Sequence, residues 1–183
     1  MIKVGISGKI AAGKSQIEQI IEKFGFKVFD LDKIAHTLFE DDNIKNLLLS
    51  EFKTVDRKEI GKIVFVDIEK KKKLEQIIYP ELEKIIFNLF EEYKNEKAVF
   101  VSGALLFKSG FYKFFDKTIF IEAKDEIRLE RLMKRNNLSF DEAHARLNLQ
   151  YDGNLADYII ENNDDIELLK DKITKVIEKI VNQ

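Results

Sequence analysis

Eight residues near the N-terminus carry the clearest chemistry in the chain. Gly8-Lys9-Ile10-Ala11-Ala12-Gly13-Lys14-Ser15 has the spacing G-x-x-x-x-G-K-[ST], a phosphate-binding loop. Glycines allow backbone conformations that turn successive N–H groups inward, which makes a nest for an anion. A helix opening near Ser15 adds its positive end. The Lys14 ammonium reaches the β- and γ-phosphates of a nucleotide, and the Ser15 hydroxyl is placed to ligate Mg²⁺. Two carboxylates, Asp30 and Asp32, follow the next apolar run. Ligands of open α/β sheets bind outside the C-terminal ends of the strands. An acid there is placed to orient or deprotonate an acceptor hydroxyl. The competing reading is that Asp32 caps the following helix. Further on, Arg128, Arg131 and Arg135 are spaced to share a helix face. Such arginines stabilise phosphate charge, or else pair on the surface with Glu126 and Glu130. Arg146 has the same two readings.

The elements that position these residues follow from the apolar pattern. Ile2 to Ile6 reads as a buried strand. Ile17, Ile20, Ile21 and Phe24 have helical spacing, and Gly25 stands where a helix C-cap glycine belongs. Lys27-Val28-Phe29 is a second strand ending at Asp30, which completes a βαβ unit. From Asp32 to about Asn95 the pattern is helical. Leu82, Ile85, Ile86, Leu89, Phe90 and Tyr93 form one stripe, with Pro80 at the start of its helix. Lys70-Lys71-Lys72-Lys73 is read as a solvated helix face. Strands are expected at Ala98–Val101, Lys117–Ile121 and Ala156–Ile160. Helices are expected at Asp125–Arg135, from the Ser139/Glu142 capping box to about Gln150, and along Ile166, Leu169, Ile173, Val176, Ile177 and Ile180.

Strands alternating with helices predict an α/β fold: three layers, α/β/α, around a five-stranded parallel sheet. It forms one domain with a core of about 1–31, 96–123 and 156–183. Helical insertions are an acceptor-binding lobe of about 32–95 and a lid of about 124–155. The 183 residues suit one domain, and 45% apolar content is enough for a core. With no cysteine, disulfides and thiolate chemistry are excluded, and two histidines, His36 and His144, argue against a histidine-rich metal site. Thirty-one basic against 33 acidic residues give no overall field toward nucleic acid or membrane. No targeting segment is recognisable, and the longest near-apolar run, about Ala98–Phe107, is far below the ~18–20 residues of a spanning helix. A cytoplasmic protein acting on small molecules is expected, as a monomer or weak homo-oligomer, with no nucleic-acid or membrane partner.

A phosphate loop identifies a nucleotide, not a reaction. The Asn-Lys-x-Asp of GTPases is absent, and strand three ends in Val101-Ser102-Gly103 without the carboxylate that motor and transporter ATPases place there. A small-molecule kinase with an acceptor pocket and a cationic lid fits best. The residues leave open which small metabolite is the acceptor, a nucleoside monophosphate or a sugar among them. They also leave open a nucleotide-binding protein without catalysis.

Taken in order, the motifs resemble the dephospho-CoA kinase family. Val4–Ser15 is similar to G-[IL]-[ST]-G-x-I-x-x-G-K-S, and Val28–His36 to V-x-D-A-D-x-I-A-[HR]. Ala104-Leu105-Leu106-Phe107 stands at P-L-L-F, and Arg131 and Arg135 have the lid's R-x-x-x-R spacing. Arg146 through Gln150 resembles R-[IL]-x-x-Q, and Ala156–Asn162 resembles A-D-x-V-I-x-N. The family's usual residues are replaced at Gln16 (threonine), Tyr79 (histidine), Ala104 (proline) and Lys108 (glutamate). The basic residue often found shortly before A-D is missing from 151–155.

The resemblance implies transfer of the ATP γ-phosphoryl to the ribose 3′-hydroxyl of dephospho-CoA, the last step of coenzyme A synthesis, with Mg²⁺. It implies Asp32 as general base, with Lys14 and Arg135 as the other catalytic groups. ATP would be held by Gly8, Ile10, Ala11, Ala12, Gly13, Lys14, Ser15, Gln16, Arg131, Arg135 and Asn162, the last near the base. Asp30, Asp32, His36, Tyr79, Leu105 and Leu106 would bind the acceptor. Ser15 and Asp32 would hold the metal.

Overall fold

A computed structural model describes residues 1–147 and 153–182. The chain runs β1 (Ile2–Gly8), α1 (Lys14–Lys23), β2 (Lys27–Asp30), α2 (Leu31–Leu38), α3 (Asp42–Phe52), α4 (Arg57–Val66) and α5 (Ile68–Glu92). It continues as β3 (Ala98–Ser102), a 3₁₀ turn at Phe111–Phe114, β4 (Lys117–Glu122), α6 (Asp125–Asn136), α7 (Phe140–Leu147), β5 (Tyr158–Glu161) and α8 (Ile166–Val181). The five strands lie in the order β2-β3-β1-β4-β5. β1 pairs in parallel with β3, Val4 opposite Phe100, and with β4, Ile6 opposite Ile119; β4 pairs in parallel with β5. The expected three-layer α/β fold with a five-stranded parallel sheet is present.

Two compact units divide the chain. Met1–Phe29 and the chain from Tyr93 onward make one, and Asp30–Glu92 the other. In the first unit the sheet is buried by β-branched and aromatic side chains, as a parallel sheet covered on its faces requires. Val4, Ile6, Phe100, Ile119 and Ile121 are fully or almost fully buried. They pack with Ile17 and Ile21 of α1 and Ile173 and Ile177 of α8. Strand ends are fixed by reciprocal clamps. Lys3 N–H donates to the Asp116 carboxylate at 2.8 Å, and Asp116 N–H donates to the Lys3 carbonyl at 2.9 Å. Asp157 accepts from both the N–H and the hydroxyl of Thr118 at 2.7 Å, which seats β5 on β4. The rings of Phe29 and Tyr93 lie 5.0 Å apart, side by side at the two points where the chain leaves and re-enters this unit.

In the second unit, α5 carries the buried residues Ile78, Leu82, Ile86 and Phe90. Their four-residue spacing lays them along one side of the helix. Pro80 lies inside this helix, not at its start. A proline there removes one backbone bond, but the buried stripe spans both sides of it and holds the helix continuous. The lysine run is not simply solvated. Lys70 reaches across to α3, bonding the Glu51 carboxylate at 2.9 Å and the Glu51 carbonyl at 3.0 Å. The last strand is displaced from Ala156–Ile160 to Tyr158–Glu161, because Ala156 closes a turn onto the Gly153 carbonyl and Asp157 makes the Thr118 clamp. The capping box at Ser139 and Glu142 forms as expected; positions 148–150 of its helix lie outside the described residues.

Candidate active site

The phosphate loop joins β1 to α1. Gly8 packs so closely on β4 that a Cβ there would sit 2.6 Å from the Ile121 carbonyl oxygen. That same carbonyl accepts from Lys9 N–H at 2.9 Å. Ala11 and Gly13 both hold left-handed φ, +59° and +102°. Between them the chain folds back, with Ala12 N–H donating to the Lys9 carbonyl at 3.0 Å. Left-handed residues alternating with ordinary ones aim backbone N–H groups into one concavity, the anion nest expected here. Gly13 is the residue before α1, so the nest runs into the positive end of that helix. Ser15 and Gln16, in its first turn, are exposed.

Lys14 points along its own helix. Its ammonium is 2.9 Å from the Glu18 carboxylate, one turn on, and 3.4 Å from the Ser102 hydroxyl at the end of β3. Glu18 is only 8% exposed. Sequence reasoning passed over both partners, although the i,i+4 spacing of Lys14 and Glu18 was there to be used.

The three arginines of α6 part company. Arg128 is 3% exposed. It bonds the Asp125 carboxylate at 2.7 Å and reaches the Ile10 carbonyl of the phosphate loop at 3.5 Å. Asp125 is thus an acid partner that the Glu126 and Glu130 reading did not include. Through that bond the guanidinium holds the Asp125 carboxyl below its ordinary range. Arg131 is half-buried. Its Nη1 is buried and meets no hydrogen-bond partner among the described residues. Arg135 is exposed and donates to the Asn136 side chain at 3.0 Å. Arg146 is exposed near the end of α7. Leu132, Ala143 and Leu147 form a small core between α6 and α7, and Ile10 and Ala11 pack against it. The phosphate loop and these two helices thus share apolar contact.

Asn162, just past β5, is 2% exposed. Its amide donates to the Ala12 carbonyl at 2.8 Å and to the Gln16 side chain at 3.3 Å. It braces the back of the phosphate loop. Gln16, standing where the resemblance leads one to expect threonine, is the second half of that brace.

In the second unit Asp30 is the N-cap of α2, its carboxylate accepting from the N–H groups of Asp32 and Lys33 at 2.9 and 3.3 Å. The cap is therefore Asp30, and Asp32 lies in the first turn. His36 is exposed on the same helix. Tyr79 on α5 is half-buried; burial first, then the Glu75 carboxylate beside it, push its phenol well above the ordinary tyrosine range. Back in the first unit, after β3, Leu105 is half-exposed while Leu106 is a core residue at 2%. Leu106 is thus packed inside, and Leu105 is the one of the pair that faces outward.

These residues fit a nucleotide. The nest, the Lys14 ammonium and the buried Arg131 Nη1, which meets no hydrogen-bond partner among the described residues, are donors and charges suited to phosphate oxygens. They also fit Mg²⁺ in its usual mode. Among the described residues no group of three or more His, Cys, Asp or Glu side chains can hold an ion alone. Mg²⁺ in phosphoryl-transfer sites takes one or two protein oxygens and fills its shell with phosphate and water.

Comparison with known proteins agrees with this geometry. A family model described as dephospho-CoA kinase matches residues 2–167. A curated dephospho-CoA kinase from Campylobacter jejuni is 37% identical over 191 residues, covering 96% of this chain and 94% of that protein. One from Listeria innocua is 33% identical over 194 residues, covering 98% and 97%. Among solved structures, TT1252 from Thermus thermophilus superposes with a TM-score of 0.81 at 30% identity, covering 98% of this chain and 97% of that one. The dephospho-CoA kinase from Campylobacter jejuni gives 0.72 at 33% identity, with the same coverage. A shikimate kinase from Acinetobacter baumannii, 16% identical with a TM-score of 0.59, shares the fold. With nearly the whole chain matched by relatives of this kind, the protein belongs to the dephospho-CoA kinase family.

Proposed function

We propose that this protein transfers the γ-phosphoryl group of ATP to the ribose 3′-hydroxyl of dephospho-CoA, giving coenzyme A and ADP. The observation that carries this is the phosphate nest shaped by Ala11 and Gly13 at the start of α1, beside Lys14. Arg131 Nη1, a buried donor with no hydrogen-bond partner among the described residues, supports it. A family relationship across almost the full length supplies the acceptor.

The nest and Lys14 hold the β- and γ-phosphates. Asp32 accepts the proton of the acceptor hydroxyl as that oxygen bonds to the γ-phosphorus. The bond from the γ-phosphorus to the β–γ bridging oxygen breaks, and its electron pair leaves on ADP. Arg131 and Arg135 neutralise the charge spread over the transferring group. Ser15 and Asp32 would hold Mg²⁺, which would supply charge neutralisation on the phosphate oxygens. Asp30 fixes the start of the helix that carries Asp32. His36, Tyr79 and Leu105 are assigned to the acceptor. Asn162 supports ATP binding through the loop it braces. Asp30–Glu92 serves as the acceptor lobe and about 124–155 as the lid. We place the enzyme in the cytoplasm, as a monomer or weak homo-oligomer; no helix among the described residues is long and apolar enough to cross a membrane.

The test is ADP release by purified protein with ATP, Mg²⁺ and a panel of acceptors. Dephospho-CoA is expected to exceed nucleoside monophosphates and sugars by orders of magnitude in kcat/KM. Tyr79, Ala104 and Lys108 favour one rival, a kinase of another small metabolite. Turnover with a different acceptor and none with dephospho-CoA would establish that rival.

A further inference from the structure

Glu18 is a buried acid that the proposed reaction does not use. Four residues of α1 are buried: Ile17, Ile20 and Ile21, which join the main core, and Glu18, which does not. A buried carboxylate is costly unless it is paired. Glu18 is paired with the residue that must also serve the nucleotide, the Lys14 ammonium at 2.9 Å, with side chains only 11% and 20% exposed. The end of β3 provides a hydroxyl, Ser102, at 3.4 Å from the same ammonium, and no carboxylate. α1 itself therefore contributes a fixed negative charge to this site.

We propose that Glu18 is a positioning residue that makes nucleotide binding depend on the metal. It keeps Lys14 folded back along α1, one turn from the nest. It also leaves a charge of the wrong sign beside the phosphates. A bare polyphosphate must compete with Glu18 for Lys14 and meets its repulsion in a site poorly screened by water. A polyphosphate already complexed with Mg²⁺ carries less negative charge and meets less of both. Glu18 thus sets a preference for the metal complex over the free nucleotide, without touching either. This rests on the reading of the site as one for ATP and Mg²⁺.

The experiment is calorimetric titration of the full chain with ATP and with ADP, once in EDTA and once in excess Mg²⁺. The quantity read is the ratio of the two dissociation constants. Wild type is expected to prefer the metal complex strongly. In Glu18→Gln the ratio is expected to fall by about tenfold, through tighter metal-free binding. Glu18→Asp, which keeps the charge, is expected to retain most of the wild-type ratio. A wild-type ratio in Glu18→Gln overturns the proposal, as does a fall caused only by weaker binding of the metal complex. Glu18→Met keeps the length and packs without a charge, so it repeats the test if the glutamine variant melts early. Wild type binding both forms equally overturns the role of Glu18 and leaves the ATP reading standing. Wild type binding neither overturns both.

Discussion

Asn162 and Ala12, at opposite ends of the chain, are joined by a hydrogen bond of 2.8 Å from the side-chain amide to the loop carbonyl. This contact fixes the back of the phosphate loop from the far edge of the sheet, where β5 ends. Asn162→Ala leaves that carbonyl without its donor in a buried place and should cost about 1–3 kcal/mol. It should also raise KM for ATP more than it lowers kcat, because the loop and not the reacting atoms is disturbed. Denaturant unfolding and steady-state kinetics read the two effects. Unchanged KM would show that the loop keeps its shape without this brace.

Lys14→Ala should weaken ATP binding and reduce transfer by at least about a hundredfold, the scale of losing a principal charge on the transferring phosphate. The structure adds a second effect. Glu18 loses its ion-pair partner, so stability should fall by about 2 kcal/mol. Lys14→Ala combined with Glu18→Ala should recover much of that stability and none of the activity. Equal stability of the single and double variants would mean that the pair contributes nothing to folding.

Ala11 holds a left-handed φ of +59°, a conformation that penalises any residue with a Cβ. Ala11→Gly should therefore raise stability by about 1 kcal/mol. For a chain of this size that is a rise of about 2–4 °C in Tm. A lower Tm would show that its methyl group, packed against the Leu132 cluster, outweighs the backbone strain.

Arg135 is exposed and Arg131 is half-buried, so their removal should read differently. Arg135→Ala should lower kcat with little change in ATP affinity. Arg131→Ala should weaken both ATP binding and kcat, since its buried Nη1 has no hydrogen-bond partner among the described residues to compete with a phosphate oxygen. Turnover unaffected by Arg135→Ala would assign that arginine to the surface.

Tyr79 supplies a pH prediction. Burial and Glu75 raise its folded-state value above the unfolded one, so the neutral phenol is the form that the fold favours. The resulting stabilisation is complete below the unfolded value, about pH 10, and is lost as pH rises beyond it. Thermal unfolding between pH 9 and 11 should show Tm falling at the alkaline end, and Tyr79→Phe should flatten that fall. Tyr79→His should instead introduce a dependence of KM for the acceptor near pH 6–7, where histidine titrates. Superposable alkaline profiles for wild type and Tyr79→Phe would remove the effect.

The sheet and the phosphate loop were legible because each rests on a local signal. β-branched runs announce buried strands, and Gly8, Gly13, Lys14 and Ser15 sit at fixed offsets that only one loop geometry explains. What was not legible depends on contacts between distant segments. Asp30 and Asp32 are equally good helix caps on paper, and only the backbone geometry assigns the cap to Asp30. Arg128, Arg131 and Arg135 look equivalent at three- and four-residue spacing. Burial and contacts separate Arg128, which reaches the phosphate loop, from the half-buried Arg131 and the exposed Arg135. Pro80 reads as a helix start by composition, yet the apolar stripe on both sides of it carries the helix through. Leu105 and Leu106 are identical neighbours, and only the turn after β3 decides which one joins the core.

The meeting of Phe29 and Tyr93 has a consequence for how such a chain tolerates change. The whole of Asp30–Glu92 is a detour whose two mouths are held 5.0 Å apart, ring to ring, by residues that belong to the sheet-bearing unit. A detour anchored at its neck can lengthen, shorten or be exchanged with little added loop-closure entropy, since that penalty grows only with the logarithm of its length. The Asp30–Glu92 segment can accordingly change while the register of the five strands and the shape of the phosphate loop stay as they are.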